Sequence, residues 1–166
     1  GITRVVIACS DPNPLVAGKG VQILENAGIE VVQGVCEAQA AAQNRGFLKA
    51  IATGMPYVRL KVASSLDGRT AMASGESKWI TGTAARQDVQ HWRAISGVVI
   101  TGIETVLADD CQLNVRQLEG IADISTIVQP KRLVLDRQGR LPLTAKILAQ
   151  AETVMVMGPF RQELAD

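Results

Sequence analysis

The sequence predicts an α/β protein built from parallel strands, and three observations carry that prediction. Val5-Val6-Ile7-Ala8 is a short, nearly continuous apolar run. Such a run suits a strand buried on both faces, as parallel sheets require. An amphipathic stretch and a second β-branched run come next, giving the strand–helix–strand order of a parallel unit. A further set of strands and a helix begins after Pro56.

The elements are expected in this order. Arg4 to Cys9 reads as a strand. Ser10-Asp11-Pro12-Asn13-Pro14 is a loop, since two prolines and an Asx pair exclude regular structure. Gly20 to Ala27 reads as a helix with Val21, Leu24 and Ala27 on one face, and Gly28 is its C-terminal cap. Glu30 to Val35 is the second strand. Glu37 to Ala52 reads as one Ala-rich helix, with Phe47, Leu48 and Ile51 as its apolar stripe, stopped by Thr53-Gly54-Met55-Pro56. A boundary near Met55 divides the chain into 1–54 and 55–166.

In the second part, Tyr57 to Ser64 alternates in character and reads as a strand. Ser65 to Lys78 is a long irregular stretch, and loops of this length inside domains are usually functional. Thr81 or Thr83 is expected to cap a helix running to about Ile95, with Ala85, Val89 and Trp92 facing inward. Gly97 to Thr101 is a strand, with a turn after it through Gly102 to Asp110. Gln117 to Gln129 has no clear pattern. Lys131 to Asp136 and Thr153 to Met157 are strands, with a helical turn at Thr144 to Ala149 between them.

Composition narrows the function. The 166 residues are 47% hydrophobic and 20% charged, a globular balance. A net charge of +1 gives no electrostatic case for nucleic acid or an anionic membrane. No apolar run approaches the roughly 20 residues of a membrane-spanning helix. There is no signal-peptide pattern, and Cys9, Cys36 and Cys111 form neither a disulfide framework nor a paired metal motif. Reduced thiols in the cytoplasm are expected. With His91 as the single histidine, read as exposed, no metal site is expected from this chain. The chain lacks a starting Met and enters an apolar run within four residues, so a preceding portion is expected.

The block from Lys61 to Arg116 carries the chemistry. It is a strand end, a glycine-bearing loop, a helix and a second loop, which converge at the carboxyl edge of a parallel sheet. Arg93 and Arg116 each have the planar fork that grips a phosphate; alternatively both are solvated surface charges. Trp79 has an indole face for a flat heterocycle, although an ordinary core tryptophan is the simpler reading of that residue alone. Asp109 and Asp110 are either a catalytic carboxylate pair or, for one of them, a loop cap. Neither a GxGxxG nor a Walker loop occurs.

Ser65-Leu66-Asp67-Gly68-Arg69-Thr70-Ala71, then Gly75-Glu76-Ser77-Lys78-Trp79-Ile80-Thr81, then Thr105-Val106-Leu107-Ala108-Asp109-Asp110 resemble, in order, the reductase domain of the bifunctional riboflavin-biosynthesis deaminase/reductase family. Asp11-Pro12-Asn13-Pro14-Leu15-Val16-Ala17-Gly18-Lys19-Gly20 resembles the last third of that family's deaminase domain, and Asn44-Arg45-Gly46-Phe47-Leu48 the bridge between them. The resemblance implies the C-terminal part of a cytidine-deaminase-like domain followed by part of a dihydrofolate-reductase-like domain. It implies an NADPH-dependent reduction of a ribosyl to a ribityl group on a phosphorylated pyrimidine, and a homodimer or larger assembly.

Residue by residue, the resemblance makes Ala63, Trp79, Thr105 and Asp109 cofactor contacts, and Ser77, Arg93, Leu113 and Arg116 substrate contacts. Lys61 is implied near the reacting end of the substrate, and the catalytic proton donor is not identified. The residue after Asp136 is often a small polar cofactor contact in relatives; here it is Arg137, suited to a 2′-phosphate or to solvent. The His-x-Glu and Pro-Cys-x-x-Cys signatures of the zinc deaminase are absent, so zinc belongs to a part outside this chain. Two other readings compete: a non-catalytic ligand-binding or dimerisation module, and a stand-alone pterin or folate reductase.

Overall fold

The computed structural model describes residues 1–159. Residues 160–166, the end of the second predicted part, lie outside the described residues. The chain divides into two compact units, Gly1–Lys61 and Val62–Asp166, each with its own parallel sheet. No helix among the described residues is long and apolar enough to cross a membrane.

In the first unit β1 (Arg4–Ile7) pairs in parallel with β2 (Glu30–Gln33), with Val5 opposite Val31 and Val6 opposite Val32. Helix α1 (Lys19–Asn26) makes the crossover. It stops where predicted: Gly28 has φ +74, its N–H donates to Glu25 O, and the N–H of Ile29 donates to Leu24 O. That paired bonding satisfies the last carbonyls of the helix and needs a left-handed residue, which glycine adopts without a Cβ clash. Two expectations fail in this unit. Val6 is 56% exposed rather than covered on both faces, because two strands and three helices bury no residue of Gly1–Lys61 fully. The predicted single helix is two, α2 (Glu37–Gln43) and α3 (Arg45–Thr53). Asn44 separates them: its side-chain amide donates to Ala40 O at 2.9 Å, a local bond that competes with the continuing helix. Helix α3 ends at Gly54 with φ +68, as the Thr-Gly-Met-Pro run predicts.

Tyr57 to Ser64 joins no sheet among the described residues, against the strand expectation. A strand exists by its partner, because its backbone N–H and C=O groups need a ladder, and the alternating side chains do not cover a core either: Leu60 is 86% exposed.

The second unit holds α4 (Thr83–Ala94), β3 (Val98–Gly102), α5 (Ile103–Asp109), β4 (Lys131–Leu135) and β5 (Val154–Met157). The strands lie in the order β3-β4-β5, all parallel, with Ile100 opposite Leu133 and Leu133 opposite Met155. One face of the sheet carries the core: Val134 packs with Ile103, Val106, Leu141, Ala145 and Ile147. On the other face Ile100, Leu135 and Met155 remain exposed.

Three local expectations are corrected here. The stretch after β3 is a helix, not a turn, because Ile103 and Val106, three residues apart, both reach the core; Asp110 then ends it with φ +44. Gly82, not a threonine, stands at the start of α4, while Thr83 Oγ1 instead accepts from Arg86. The covered face of α4 includes Val89 and Trp92 of the expected set, both half-buried, but not Ala85, which is exposed. The most buried residue is Gln90, which shares its face with Arg86 and Arg93. Polar bonds from Gln90 and Arg93 to the 112–116 segment turn that face inward. Gln117 to Gln129 contains a short bridge between Leu118 and Ile121 and a 3-10 turn at Ile124–Thr126. The expected helical turn between β4 and β5 is 3-10 at Lys146–Thr153.

Candidate active site

The carboxyl edge of the second sheet is built by the segments that leave the strand ends. β3 runs directly into α5, so Thr105 stands in its first turn. Thr105 and Asp109 are both exposed and lie one helical turn apart, beside the face that buries Ile103 and Val106. After β4 the chain turns sharply. Asp136 is fully buried and its Oδ2 accepts from Leu141 N at 2.8 Å. Burial opposes its charge, but N–H donors of Arg140, Leu141 and Gln138 outweigh that and hold the carboxyl below its ordinary value. The turn leaves Arg137 exposed at this edge.

Asp109 and Asp110 separate in role. Asp110 accepts Lys146 N at 2.9 Å on Oδ1 and faces Lys146 Nζ at 3.0 Å on Oδ2. Those bonds hold its carboxyl below the usual range. Asp110 is thus a loop cap and Asp109 alone remains a candidate contact, which removes the paired-carboxylate reading.

A second group surrounds residues 112–116. Arg93 on the last turn of α4 donates to Asn114 O at 3.2 Å. The backbone N–H of Arg116 donates to Gln90 Oε1 at 3.0 Å. Leu113, directly before Asn114 and half-buried, has φ +56, a left-handed conformation unusual for a branched side chain. Burial lowers the pKa of the half-buried Arg93, the charge of Arg116 lowers it further, and Cys111 raises it. It stays charged at any ordinary pH. Among the described residues neither Arg93 nor Arg116 forms a salt bridge. Two neighbouring guanidinium groups with no carboxylate paired to them among the described residues leave an uncompensated positive charge here.

The irregular segment carries the third group. Ser65 Oγ accepts from Arg69 N at 3.1 Å, Asp67 pairs with Arg69 at 3.1 Å, and Gly68 has φ +80 in the turn between them. Ala63 and Ser77 are half-buried. Trp79 is 73% exposed and so is no core residue. The Arg86 guanidinium lies 4.5 Å from its ring centroid, a cation–π contact that fixes the indole while much of its surface stays open.

Of the predicted residues, the structure brings Arg93, Leu113 and Arg116 together and places Thr105 and Asp109 on one helix. Ala63, Ser77 and Trp79 share the irregular segment. Lys61 is the last residue of the first unit and is exposed. Sequence reading missed Arg86, Gln90, Gln129 and Arg132. For the first two a signal existed: Arg86, Gln90 and Arg93 recur at helical spacing, one position out of register with the apolar set. Arg132 in the run Lys-Arg-Leu-Val-Leu gives no sign that it is 1% exposed.

Thr105 and Arg137 lie on segments that leave the strands, whereas Arg93, Arg116 and Gln129 lie by the segments that enter β3 and β4, so the expected convergence of the whole block at the carboxyl edge does not hold. What the fold defines is an α/β domain with a parallel sheet. More particularly, the chain belongs to the RibD C-terminal domain family, whose pattern matches residues 56–163. It is 46% identical to the riboflavin biosynthesis protein RibD of Haemophilus influenzae, an alignment covering 99% of this chain and 46% of that protein. To RibD of Escherichia coli it is 47% identical, over 90% of this chain and 42% of that one. Among solved structures, Acinetobacter baumannii RibD, form 1, superposes with a TM-score of 0.92 at 80% identity, covering 99% of this chain and 46% of the other. A diaminohydroxyphosphoribosylaminopyrimidine deaminase/5-amino-6-(5-phosphoribosylamino)uracil reductase from Thermotoga maritima gives 0.83 at 38% identity, over 98% and 44%. The chain therefore spans less than half the length of these relatives.

Proposed function

We propose that this chain supplies the substrate-binding part of a reductase acting in riboflavin biosynthesis. It works within a protein whose other part deaminates the pyrimidine with zinc. The reaction is NADPH-dependent reduction of the ribosyl group of 5-amino-6-(5-phosphoribosylamino)uracil to ribityl. Residues 1–54 are assigned to the end of a cytidine-deaminase-like domain and 55–166 to a dihydrofolate-reductase-like one. A cytoplasmic homo-oligomer is the expected form.

The observation that carries the reading is the Arg93–Arg116 pair, because the substrate of such an enzyme bears a 5′-phosphate. A free pterin has no anionic group for two guanidinium groups to meet, which disfavours a stand-alone pterin reductase. Arg93, held by Asn114 O, and Arg116, held through its N–H by Gln90, would clamp the phosphate while Leu113 and Ser77 contact the substrate. The donor chemistry also fits a nicotinamide dinucleotide. Trp79 offers an open indole face, Thr105 and Asp109 offer polar groups to ribose hydroxyls, and Ala63, half-buried, is small enough for close approach of a ligand. Arg137 is suited to a 2′-phosphate and Lys61 to the reacting end of the substrate. When bound, NADPH supplies the hydride for the sugar C1, which is electrophilic in its imine or open-chain form. The chain's own share is orientation and charge placement.

The test uses protein expressed from the complete reading frame, with NADPH oxidation followed on the deaminated ribosylamino-pyrimidine phosphate. Arg93→Ala and Arg116→Ala are each expected to raise KM about tenfold or more with kcat little changed, since ground-state binding is removed. Wild-type KM in both variants overturns the clamp.

A further inference from the structure

The segment from Gln112 to Arg116 joins no helix and no sheet, yet side chains hold five of its backbone polar groups. Gln112 O accepts from Arg132 Nη1 at 3.0 Å and Asn114 O accepts from Arg93 Nη1 at 3.2 Å. Val115 is gripped twice by one side chain: its N–H donates to Gln129 Oε1 at 2.8 Å, and Gln129 Nε2 donates back to Val115 O at 3.1 Å. Arg116 N donates to Gln90 Oε1 at 3.0 Å. Four side chains from α4, β4 and the strand's approach thus replace the ladder that regular structure would have supplied.

Two of those side chains are neutral amides, and Gln90 is 7% exposed. Burying an amide is unfavourable without a matched partner, so the geometry at Gln90 is demanding. Its position gives the bond its meaning. Gln90 lies one turn before Arg93 on the same helix face and takes the N–H of Arg116 itself. One helix therefore holds one guanidinium directly and the other through its backbone. Like charges at this range repel, and a carboxylate brace would cancel the positive field that an anion needs. An amide fixes the spacing and leaves the charge intact.

We propose that Gln90 and Gln129 are positioning residues that set the separation of Arg93 and Arg116, and with it the seat of the substrate's phosphate. The proposal rests on the clamp reading of those two arginines. Neither glutamine touches the substrate. Both act through the backbone of Val115 and Arg116.

Gln90→Leu is close in shape and removes the acceptor. In protein from the complete reading frame it is expected to raise KM for the phosphorylated pyrimidine about tenfold, with kcat within about twofold. The dissociation constant for NADPH, measured by fluorescence titration, should not move, because Trp79, Thr105 and Asp109 lie outside the clasp. A merely structural role would shift cofactor and substrate binding together and would overturn the proposal. Gln129→Leu, at a half-exposed position, is expected to act in the same direction and carries the test should Gln90→Leu not fold. Gln129→Glu keeps the acceptor for Val115 N but loses the donor to Val115 O and adds a negative charge beside the guanidinium pair, so it should not recover the lost affinity; recovery by Glu would overturn the argument that the brace must be neutral. Unchanged KM in both leucine variants, alongside a raised KM in Arg116→Ala, sinks the positioning role while the clamp stands. Unchanged KM in Arg116→Ala as well removes the clamp itself.

Discussion

Asp136 shows how one residue can serve a site without reaching a ligand. It closes the turn after β4 by accepting Leu141 N, and that turn presents Arg137 at the sheet's edge. Removing the carboxylate strands a buried donor, so Asp136→Ala should cost about 1–3 kcal/mol in urea unfolding. The pH dependence has a definite sign. The folded carboxyl sits below its ordinary value of 3.8, despite burial, because of its N–H donors. Its stabilising contribution is therefore complete above about pH 4 and is lost as acid brings the pH down through the folded value. Acid titration of unfolding should show a shallower loss below pH 4 in Asp136→Asn than in the wild type. Equal slopes would mean the turn does not depend on this charge.

Among elements, the junction of β4 and β5 is the tightest. Gly158 comes directly after β5, and Asp136 N donates to Met157 O just before it. A Cβ on Gly158 would lie 1.9 Å from Asp136 O and 2.9 Å from its carbonyl carbon. Both are backbone atoms, so no side chain can swing away. Gly158→Ala should destabilise by on the order of 3 kcal/mol, the upper range for overpacking, read as a lower denaturation midpoint. An unchanged midpoint would show that the strands separate there at little cost.

The elements also show what a sequence can disclose. Gly28 and Gly54 were legible as helix stops because left-handed caps are set by local backbone chemistry. Tyr57 to Ser64 was not a strand despite its alternation, because strand formation depends on a partner that no local pattern encodes. On α4 Val89 and Trp92 were legible as partly covered, but Gln90, its most buried residue, was not, since tertiary bonds and not the apolar pattern turn it inward. Gln90 and Arg132 look like surface residues in sequence and are buried because distant carbonyls and N–H groups await them. For the candidate site, the resemblance supplied the residues, and the structure supplied the backbone that holds three of them together.

At the scale of the whole molecule, the proposed function places zinc in the deaminase part and NADPH in the reductase part. His91, the only histidine, is exposed and meets Trp92 edge-on, with ring centroids 5.3 Å apart. Cys9, Cys36 and Cys111 are free thiols, and among the described residues no three His, Cys, Asp or Glu side chains gather where they could hold a metal. A catalytic zinc needs three such ligands. The proposed reductase is read from guanidinium groups, an indole, a hydroxyl and the Asp109 carboxylate, and zinc is proposed for the deaminase part. In protein from the complete reading frame, the two proposed activities should therefore part under a chelator. Dipicolinate should abolish release of ammonia from the ribosylamino-pyrimidine phosphate. NADPH oxidation on the already deaminated substrate should keep most of its rate. Parallel loss of both, with both restored by added zinc, would place a metal in the reductase reaction and defeat the division argued from these residues.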